Sequence, residues 1–357
     1  MKQDVLDALA GKFPAKIPCK ETLDHPGIIK YISGKDIYED TPAALEITWR
    51  KLGIDIHAPL PEENAPRPRV PGGAWEENGQ AYIDYGIYPP AIPLRRPEHA
   101  ASQAEDWVFG YDPTQDDFEL QAAIRQSRAA NGAFRARFGD LAVMYDLYYT
   151  TLLTWPVITF EWEPFLLAAA ADPRRFDELL WQPWARISRK HFEALAAMDE
   201  EVIFCHDHLA METGPVFSPA FLERYIFSRY AWIMEPVFQA GKKLIFVSDG
   251  NIDVFLELLL ELPFAGIMIE NPATPYERVL QTWGKAGRGF IGGISTGLLT
   301  HSAPAEVCQH TRQVIMQGRQ YPGFILSASG GLPATIPMEN MLAYIRTRHE
   351  LGCFADF

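Results

Sequence analysis

Two short polar runs, each directly after an apolar run, carry the side chains best suited to chemistry. The first is His206-Asp207-His208 and the second is Ser248-Asp249-Gly250-Asn251. Histidine changes charge near neutral pH, so the first run offers a metal ligand or a general acid or base. In an extended strand, residues two apart share a face, which would place the two imidazoles together. We therefore take Asp249 as the first catalytic candidate, with Asp207 and His208 beside it, and His206, His208 and Asp249 as candidate metal ligands.

Each of these residues also has a purely structural interpretation. Asp249 or Asn251 could only cap the helix that is predicted to follow. One of the two histidines could be packed inside the protein while Asp207 caps a loop. The functional interpretation is favoured because the pattern of apolar run, polar tip and helix recurs along the chain, and we also take Asn251 as a candidate for substrate binding.

A third carboxylate, Glu270, follows the apolar residues 265–269. If these runs are parallel strands, Glu270 and Asp249 end at the same edge of a sheet. Paired carboxylates or an Asp-His-Glu metal set are then possible, and the alternative is a salt-bridged residue at the rim. We assign Glu270 a catalytic role, and we expect Ser295 and Ser329, which tip the next two runs, to bind substrate.

Aromatic residues cluster around the predicted second strand and its loops, including Tyr145 and Trp162. They could form a wall for a flat, partly apolar substrate, although such residues more often belong to the core. We take Tyr145 and Trp162 as candidates for substrate binding. The chain contains no GxxxxGK[ST] run, so no nucleoside-triphosphate site is expected. We expect no dinucleotide site either.

From about residue 114 onward, predicted strands alternate with predicted helices, and these elements position the polar tips. Short unbroken apolar runs predict strands buried on both faces, and segments of ten or more residues between them predict helices. About seven strands are predicted, and an N-terminal segment or residues 157–159 could supply an eighth. The fold class is therefore α/β, a (β/α)8 TIM-type barrel with N-terminal helical and hairpin additions. We expect one domain over residues 1–357.

Composition limits the function further. The chain has 357 residues, a formal net charge of -14 and no long Lys/Arg cluster. Nucleic acid and anionic membrane surfaces are therefore not expected as partners. No run approaches the roughly 20 apolar residues that span a bilayer, and the first 16 residues lack the apolar core of a secretory signal. Four scattered cysteines without a CxxC pair indicate neither a disulfide framework nor a thiolate zinc site. We expect a cytoplasmic protein.

The order of these motifs over Asp117 to Gly352 resembles the uroporphyrinogen decarboxylase superfamily. The runs that carry the likeness are, in order, DHLAMETGPVFSP, VSDGNI, EN-P, GFIGGIS, GFILSAS-GG and IPMEN. The nearer likeness is to the branch of methylcobamide methyltransferases. This resemblance implies an eight-stranded barrel, methyl transfer in one-carbon metabolism, a small-molecule methyl donor or acceptor, and a partner protein that carries a corrinoid. It also implies a substrate-binding role for Asp84 and Tyr85, which otherwise form only a turn signal.

Two departures from the family pattern bear on mechanism. Thiol-methylating relatives hold zinc with a His-x-Cys pair at the strand tip that here reads Val247-Ser248-Asp249, and with a Cys near the last strand tip, here residues 327–330. The decarboxylase branch has an Arg-rich, Gly-containing N-terminal segment where this chain has residues 19–36. We therefore expect a corrinoid-linked methyltransferase without the usual thiolate site, with a divalent metal such as zinc possible. A cofactor-free decarboxylase or related lyase is the alternative, and a silent barrel that only docks a partner is a third.

Overall fold

A computed structural model describes residues 2–58, 60–61, 63–67, 74–77, 80–83, 92–94, 104–139, 143–148, 151–270 and 272–352. The chain divides into two compact units. The first unit comprises residues 1–96, 134–144 and 266–357, and the second comprises residues 97–133 and 145–265. The expectation of one domain over residues 1–357 stays a prediction.

The strands and helices below are those of the described residues. The strands are β1 (Leu23–Asp24), β2 (Ile56–His57), β3 (Ala74–Glu77), β4 (Gln80–Ile83), β5 (Ile92–Leu94), β6 (Val143–Tyr148), β7 (Val202–His206), β8 (Ala210–Met211), β9 (Gly214–Pro215), β10 (Lys243–Ser248), β11 (Gly266–Ile269), β12 (Gly289–Ser295), β13 (Phe324–Ser329) and β14 (Leu332–Pro333). The α-helices are α1 (Lys2–Leu9), α2 (Pro26–Ser33), α3 (Thr41–Leu52), α4 (Ala104–Phe109), α5 (Leu120–Phe138), α6 (Thr154–Phe160), α7 (Trp162–Ala171), α8 (Pro173–Phe176), α9 (Gln182–Ala197), α10 (Pro219–Leu222), α11 (Ser228–Gln239), α12 (Leu256–Leu260), α13 (Tyr276–Val279), α14 (Thr296–His301), α15 (Pro304–Gly318) and α16 (Met338–Glu350). Short 3-10 turns occupy Pro113–Asp116 and Asp253–Phe255, and π turns occupy Asp177–Trp181, Glu223–Phe227 and Leu280–Gly284.

In the first unit, parallel strands run in the order β11-β12-β13. Cys19 bridges in parallel to Leu326 of β13, and Lys20 bridges in parallel to Ile56 of β2. β2 then pairs in parallel with the first residues of β6. The segment Cys19–Lys20 therefore fills a strand position between β13 and β2, as an N-terminal segment was expected to do. The other predicted location for an eighth strand was wrong, because residues 157–159 lie inside α6.

In the second unit, β6, β7 and β10 form a parallel ladder. Every residue of β7 is buried, as is every residue of β10 after Lys243. This burial on both faces is what continuous apolar runs predict for parallel strands. The short antiparallel pair β8–β9 follows β7 directly and precedes α10.

Element boundaries differ from the sequence-based expectation at several places. The helix that was predicted to follow Asn251 is the 3-10 turn Asp253–Phe255 followed by the short α12. The hairpin predicted among the N-terminal additions is present as the antiparallel strands β3 and β4, and residues 78–79 between them lie outside the described residues. Residues 287–292 do match the letters GxGxxG, but they lead into β12 rather than from a strand into a helix. They therefore do not form a dinucleotide-binding turn.

No helix in the described part of the chain combines the length and apolar character needed to cross a membrane.

We predict an acid-sensitive contribution to stability from His57 in the first unit. Its buried ring stacks on Trp49 and Phe138, and burial lowers the pKa of the imidazole from 6.5 to about 3. A base with a lowered folded-state pKa stabilises the fold above its unfolded pKa, and this stability is lost as pH falls from about 6.5 toward 3. The slope contributed by one group reaches about 1.4 kcal/mol per pH unit.

The measurement is urea unfolding between pH 7 and pH 4 for the parent protein and for His57→Phe. The phenylalanine variant should lose less unfolding free energy on acidification. Equal slopes for the two proteins would show that His57 stays neutral in both states or that it titrates freely in the fold.

Candidate active site

The second unit brings Asp249 between the two histidines of the first polar run. One carboxylate oxygen, Oδ2, lies 3.5 Å from Nε2 of His206 and 3.3 Å from Nδ1 of His208. The two imidazole rings lie 4.6 Å apart, nearly perpendicular to each other. The side chains are exposed to different degrees, with His206 at 2%, His208 at 18% and Asp249 at 39%. The cluster is therefore closed on the His206 side and open to solvent at Asp249.

Two opposing effects act on the pKa of the Asp249 carboxyl and so determine its charge. Partial burial by itself would raise the pKa of the Asp249 carboxyl. Hydrogen bonds and charge interactions with His206 and His208 outweigh burial and hold that pKa well below its usual value. Asp249 is consequently a carboxylate at neutral pH, so it can attract a cation or accept a hydrogen bond but has no proton to give.

The ladder between β7 and β10 places these side chains next to each other. His206 pairs with Val247, and the amide of Asp207 donates to the carbonyl of Val247 at 3.1 Å. His208 and Asp249 lie two residues beyond this pair on their respective strands. The hydroxyl of Ser248 donates to the carbonyl of Asp207 at 2.9 Å, which ties the two strand ends together.

Gly250 fixes the backbone directly after Asp249. It has a φ of +71°, and a Cβ at this position would lie 2.2 Å from the carbonyl oxygen of Ala210 in β8. Only glycine allows both this left-handed conformation and this close approach. The amide of Asn251 donates to the carbonyl of Met211 at 2.9 Å, so the β8–β9 hairpin holds the chain on the far side of Asp249.

Asp207 lies between the two histidines in sequence but has a different environment. It is fully buried, and its Oδ1 accepts hydrogen bonds from the amides of Leu153 and Thr154 and from the Thr154 hydroxyl, at 2.9, 2.8 and 3.1 Å. Its Oδ2 accepts a hydrogen bond from the Tyr230 hydroxyl at 2.5 Å. Burial and the nearby Asp207 raise the pKa of Tyr230, so the phenol stays protonated as a donor. Asp207 therefore anchors the start of α6 to the end of β7.

Thr154 and Tyr230 were not among the predicted site residues. Both support the cluster through Asp207, and Thr154 also accepts the amide hydrogen of His208 at 3.2 Å through its hydroxyl. They are 53 and 23 residues from Asp207 in sequence. A threonine at a helix start and a tyrosine inside a helix are common features, so neither residue could be recognised from its type or position in the sequence.

Among the other predicted residues in this unit is Asn251. Capping of the following helix was the structural interpretation for Asp249 or Asn251, and Asn251 makes a contact of this kind. Its Oδ1 accepts the amide hydrogen of Asp253 at 3.1 Å, at the start of the 3-10 turn. The ring of Trp162 lies 5.9 Å from that of His208, so the predicted aromatic neighbour is beside the cluster. Tyr145 belongs to β6, but its side chain lies outside the described part, as do Asp84 and Tyr85 entirely.

The remaining predicted residues belong to the first unit and are described with it. Glu270 follows β11 and is partly exposed. Ser295 accepts the amide hydrogen of Leu298 on its Oγ at 3.2 Å, which makes it the N-cap of α14. Its own amide donates to Nε2 of His310 at 3.3 Å. Ser295, Ser329 and His310 line a cavity of about 240 Å³ within this unit.

A family match identifies the family of this chain. The sequence profile described as "Uroporphyrinogen decarboxylase (URO-D)" matches residues 161–351, more than half of the chain. The chain belongs to the uroporphyrinogen decarboxylase family. The matched region contains His206, His208 and Asp249. A search of curated proteins finds no match.

Solved structures agree with the fold of a URO-D family member. A methyltransferase from Methanosarcina mazei superposes with a TM-score of 0.62 at 15% identity, and the match covers 98% of each chain. The predicted class, α/β of the TIM-barrel type, is confirmed by this likeness and by the family. Xylanase B from Clostridium stercorarium matches at a TM-score of only 0.39 and 15% identity, over 65% of this chain and 85% of that one. That likeness is too weak to add to the argument.

This URO-D family member does not fit a thiolate-bound zinc ion at the strand tips where the resemblance would place one. Val247 and Asp249 occupy the tip of β10, and Ser327 and Ser329 occupy the end of β13. None of these side chains contains sulfur, so they cannot supply a thiolate. His206 and His208 at the end of β7 and Asp249 at the end of β10 offer nitrogen and oxygen atoms instead, which is a different set of potential metal donors.

Proposed function

We propose that this URO-D family protein is a methyltransferase of corrinoid-linked one-carbon metabolism that works without a thiolate zinc site. The reaction centre in this proposal is the cluster of His206, His208 and Asp249. The observation that carries it is an ionised, partly exposed carboxylate held between two imidazoles at the ends of two parallel strands. This is the edge at which α/β barrels place their catalytic groups.

Methyl transfer to cobalt is an in-line displacement in which the bond from the methyl carbon to the donor breaks. Both electrons of that bond stay on the donor, and the corrinoid supplies the electron pair of the new bond. The leaving donor atom then needs a proton or another positive charge. His208 is the partly exposed imidazole of the cluster, so it is placed to deliver that proton, with Asp249 orienting it.

The expected substrate is a planar, partly apolar methyl donor or acceptor. The aromatic ring of Trp162 beside His208 supports this choice, because a flat molecule can stack on an indole while its polar end reaches the cluster. The partner in this proposal is a protein that carries the corrinoid. We place the reaction in the cytoplasm, as expected for one-carbon metabolism that depends on a carrier protein.

A decarboxylase or related lyase that needs no cofactor is the second candidate. The low pKa of Asp249 favours it, because a carboxylate that remains ionised can stabilise the positive charge of a protonated heterocycle during loss of carbon dioxide. The family description points in the same direction. His208 would then donate the proton that replaces the lost carboxyl group.

The experiment that separates the two uses the purified full-length chain. One arm mixes it with a reduced corrinoid carrier protein and a panel of methylated small molecules, and follows the visible absorption of the corrinoid. The other arm supplies carboxylated tetrapyrroles and measures released carbon dioxide. A donor-dependent change in corrinoid absorption supports methyl transfer. Carbon dioxide release without any corrinoid change would overturn it in favour of the lyase.

A further inference from the structure

His206, His208 and Asp249 present three donor atoms that converge on one point in the second unit. One nitrogen of each imidazole and one oxygen of the carboxylate all lie within 4.8 Å of one another. Among the described residues, this is the group of histidine, cysteine and acidic side chains that meets the geometry of a metal site. We propose that these three residues bind a divalent transition-metal ion of the zinc class.

The donor spacing fits a tetrahedral ion. Zinc bonds of about 2.0–2.2 Å to nitrogen and oxygen require neighbouring donors to lie about 3.3–3.5 Å apart at the corners of a tetrahedron. The two measured distances from Asp249 Oδ2 are 3.5 Å to His206 Nε2 and 3.3 Å to His208 Nδ1. Two edges of the tetrahedron therefore have the required length, and the two imidazole nitrogens that define the third edge lie within 4.8 Å of each other.

The donor set also suits the chemistry of such an ion. Imidazole nitrogen and carboxylate oxygen are ligands that zinc accepts, and imidazole also suits other first-row divalent metals. Two neutral imidazoles and one carboxylate carry a single negative charge, which a divalent ion would reverse to a net positive charge. The Asp249 carboxylate would neutralise part of the ion's charge.

The backbone that carries the ligands is held in advance of binding. Thr151 donates its hydroxyl to the carbonyl of His206, and Thr154 accepts the amide hydrogen of His208. Ser248 and Gly250 fix the backbone on either side of Asp249. Such support around the ligands is typical of metal sites, where it sets the orientation of the first ligands.

The site would have an open position. His206 is buried on the inner side, whereas Asp249 is 39% exposed, so three protein ligands would leave the fourth corner facing solvent. Catalytic zinc sites keep such a position for water or substrate, whereas structural sites fill all four corners. The inference deepens the proposed function in one respect: the ion, rather than a proton from His208, would supply the positive charge that the leaving donor atom needs. Metal binding itself does not depend on which group is transferred.

The test measures binding alone, with no methyl donor or corrinoid present. The full-length chain is stripped with a chelator and dialysed against zinc chloride, and bound zinc is measured per chain by elemental analysis. We expect one equivalent for the parent protein, and a loss of affinity of about 10-fold or more for His208→Ala and Asp249→Asn. His301→Ala is the matched control, because His301 is an exposed histidine of α14 in the first unit.

A second measurement protects the test against variants that fold poorly. An ion that binds the folded state raises the melting temperature, so zinc should raise that of the parent and of His301→Ala. It should not raise that of His208→Ala. Absence of bound zinc in the parent, or equal binding by all four proteins, would overturn the proposal. A parent protein that binds zinc but shows no methyl transfer in the corrinoid assay would count against the proposed function and would leave the metal-site proposal intact.

Discussion

Replacing Asp249 with alanine should reduce turnover by about 10²-fold to 10⁴-fold while leaving the melting temperature of the metal-free protein nearly unchanged. Asp249 is the ionised and most exposed member of the cluster, and it contacts both His206 and His208. Without it, neither imidazole keeps its carboxylate partner, and any bound cation loses its only anionic ligand in the cluster. The reaction centre should therefore lose both its orientation and its charge.

The expected effect on stability is small for a separate reason. A partly exposed ion pair contributes about 0–1 kcal/mol, and the capping role belongs to Asn251 rather than to Asp249. The strand before it, Leu244–Val247, is fully buried and remains intact in the variant. Against a domain stability of roughly 5 to 15 kcal/mol, the loss of the Asp249 side chain should leave the fold largely intact.

The measurement combines a thermal melt with the corrinoid and decarboxylase assays on the same preparation. Glu178→Ala is the control, since Glu178 is an exposed carboxylate of the same unit that forms an ion pair with Arg174. That variant should match the parent in both assays. An Asp249→Ala protein that melts normally and keeps most of its activity would refute the catalytic assignment. One that fails to fold would return Asp249 to a structural role.

The core of the cluster could be predicted from sequence because its geometry follows from strand periodicity. His206 and His208 are two residues apart at a strand tip, and Asp249 lies at the tip of the next strand of the same ladder. Parallel pairing at the register of His206 and Val247 then suffices to bring the three together. No distant contact has to be known in advance for this part of the site.

Asp207 has an environment that the same reasoning does not predict, and its catalytic role stays a prediction. Its position between two histidines indicates chemistry, yet its carboxylate is fully buried and accepts four hydrogen bonds from Leu153, Thr154 and Tyr230. Those donors come from a helix start and from another helix that are distant in sequence. Whether a polar tip residue points toward solvent or into such a pocket depends on tertiary packing, which residue type and spacing do not encode.

In the fold, too, features that depend on local sequence could be predicted, and features that depend on distant contacts could not. The apolar runs identified β7, β10, β11, β12 and β13, because burial on both faces requires continuous apolar sequence. The strand position filled by Cys19–Lys20 has no such signal, since only two residues pair and Lys20 is polar. Cys19 pairs with Leu326 of β13, roughly 300 residues further along the chain. Short strands with long-range partners are therefore the part that sequence patterns miss.

The second large effect is expected for Asp207→Ala, which should mainly lower the free energy of unfolding. The substitution leaves the amides of Leu153 and Thr154 and the hydroxyl of Tyr230 without their buried acceptor. Each buried polar group left unsatisfied costs about 1–3 kcal/mol, and breaking a buried charged network costs about 3–5 kcal/mol. We expect a loss of about 3–5 kcal/mol in the free energy of unfolding, a large share of the stability of an ordinary domain.

Tyr230→Phe is the matched variant, because it removes only the hydrogen bond to Oδ2 and leaves the three donors at Oδ1 in place. It should cost about 1.5–3 kcal/mol, in line with one hydrogen bond to a charged group. Urea unfolding gives both values, and activity per folded molecule is measured well below each midpoint. If Asp207 is an anchor, the activity of the folded Tyr230→Phe protein stays close to that of the parent, and the stability loss for Asp207→Ala exceeds that for Tyr230→Phe. An Asp207→Ala protein with unchanged stability and no activity would make Asp207 a catalytic residue instead, with His206 and His208 on either side of it.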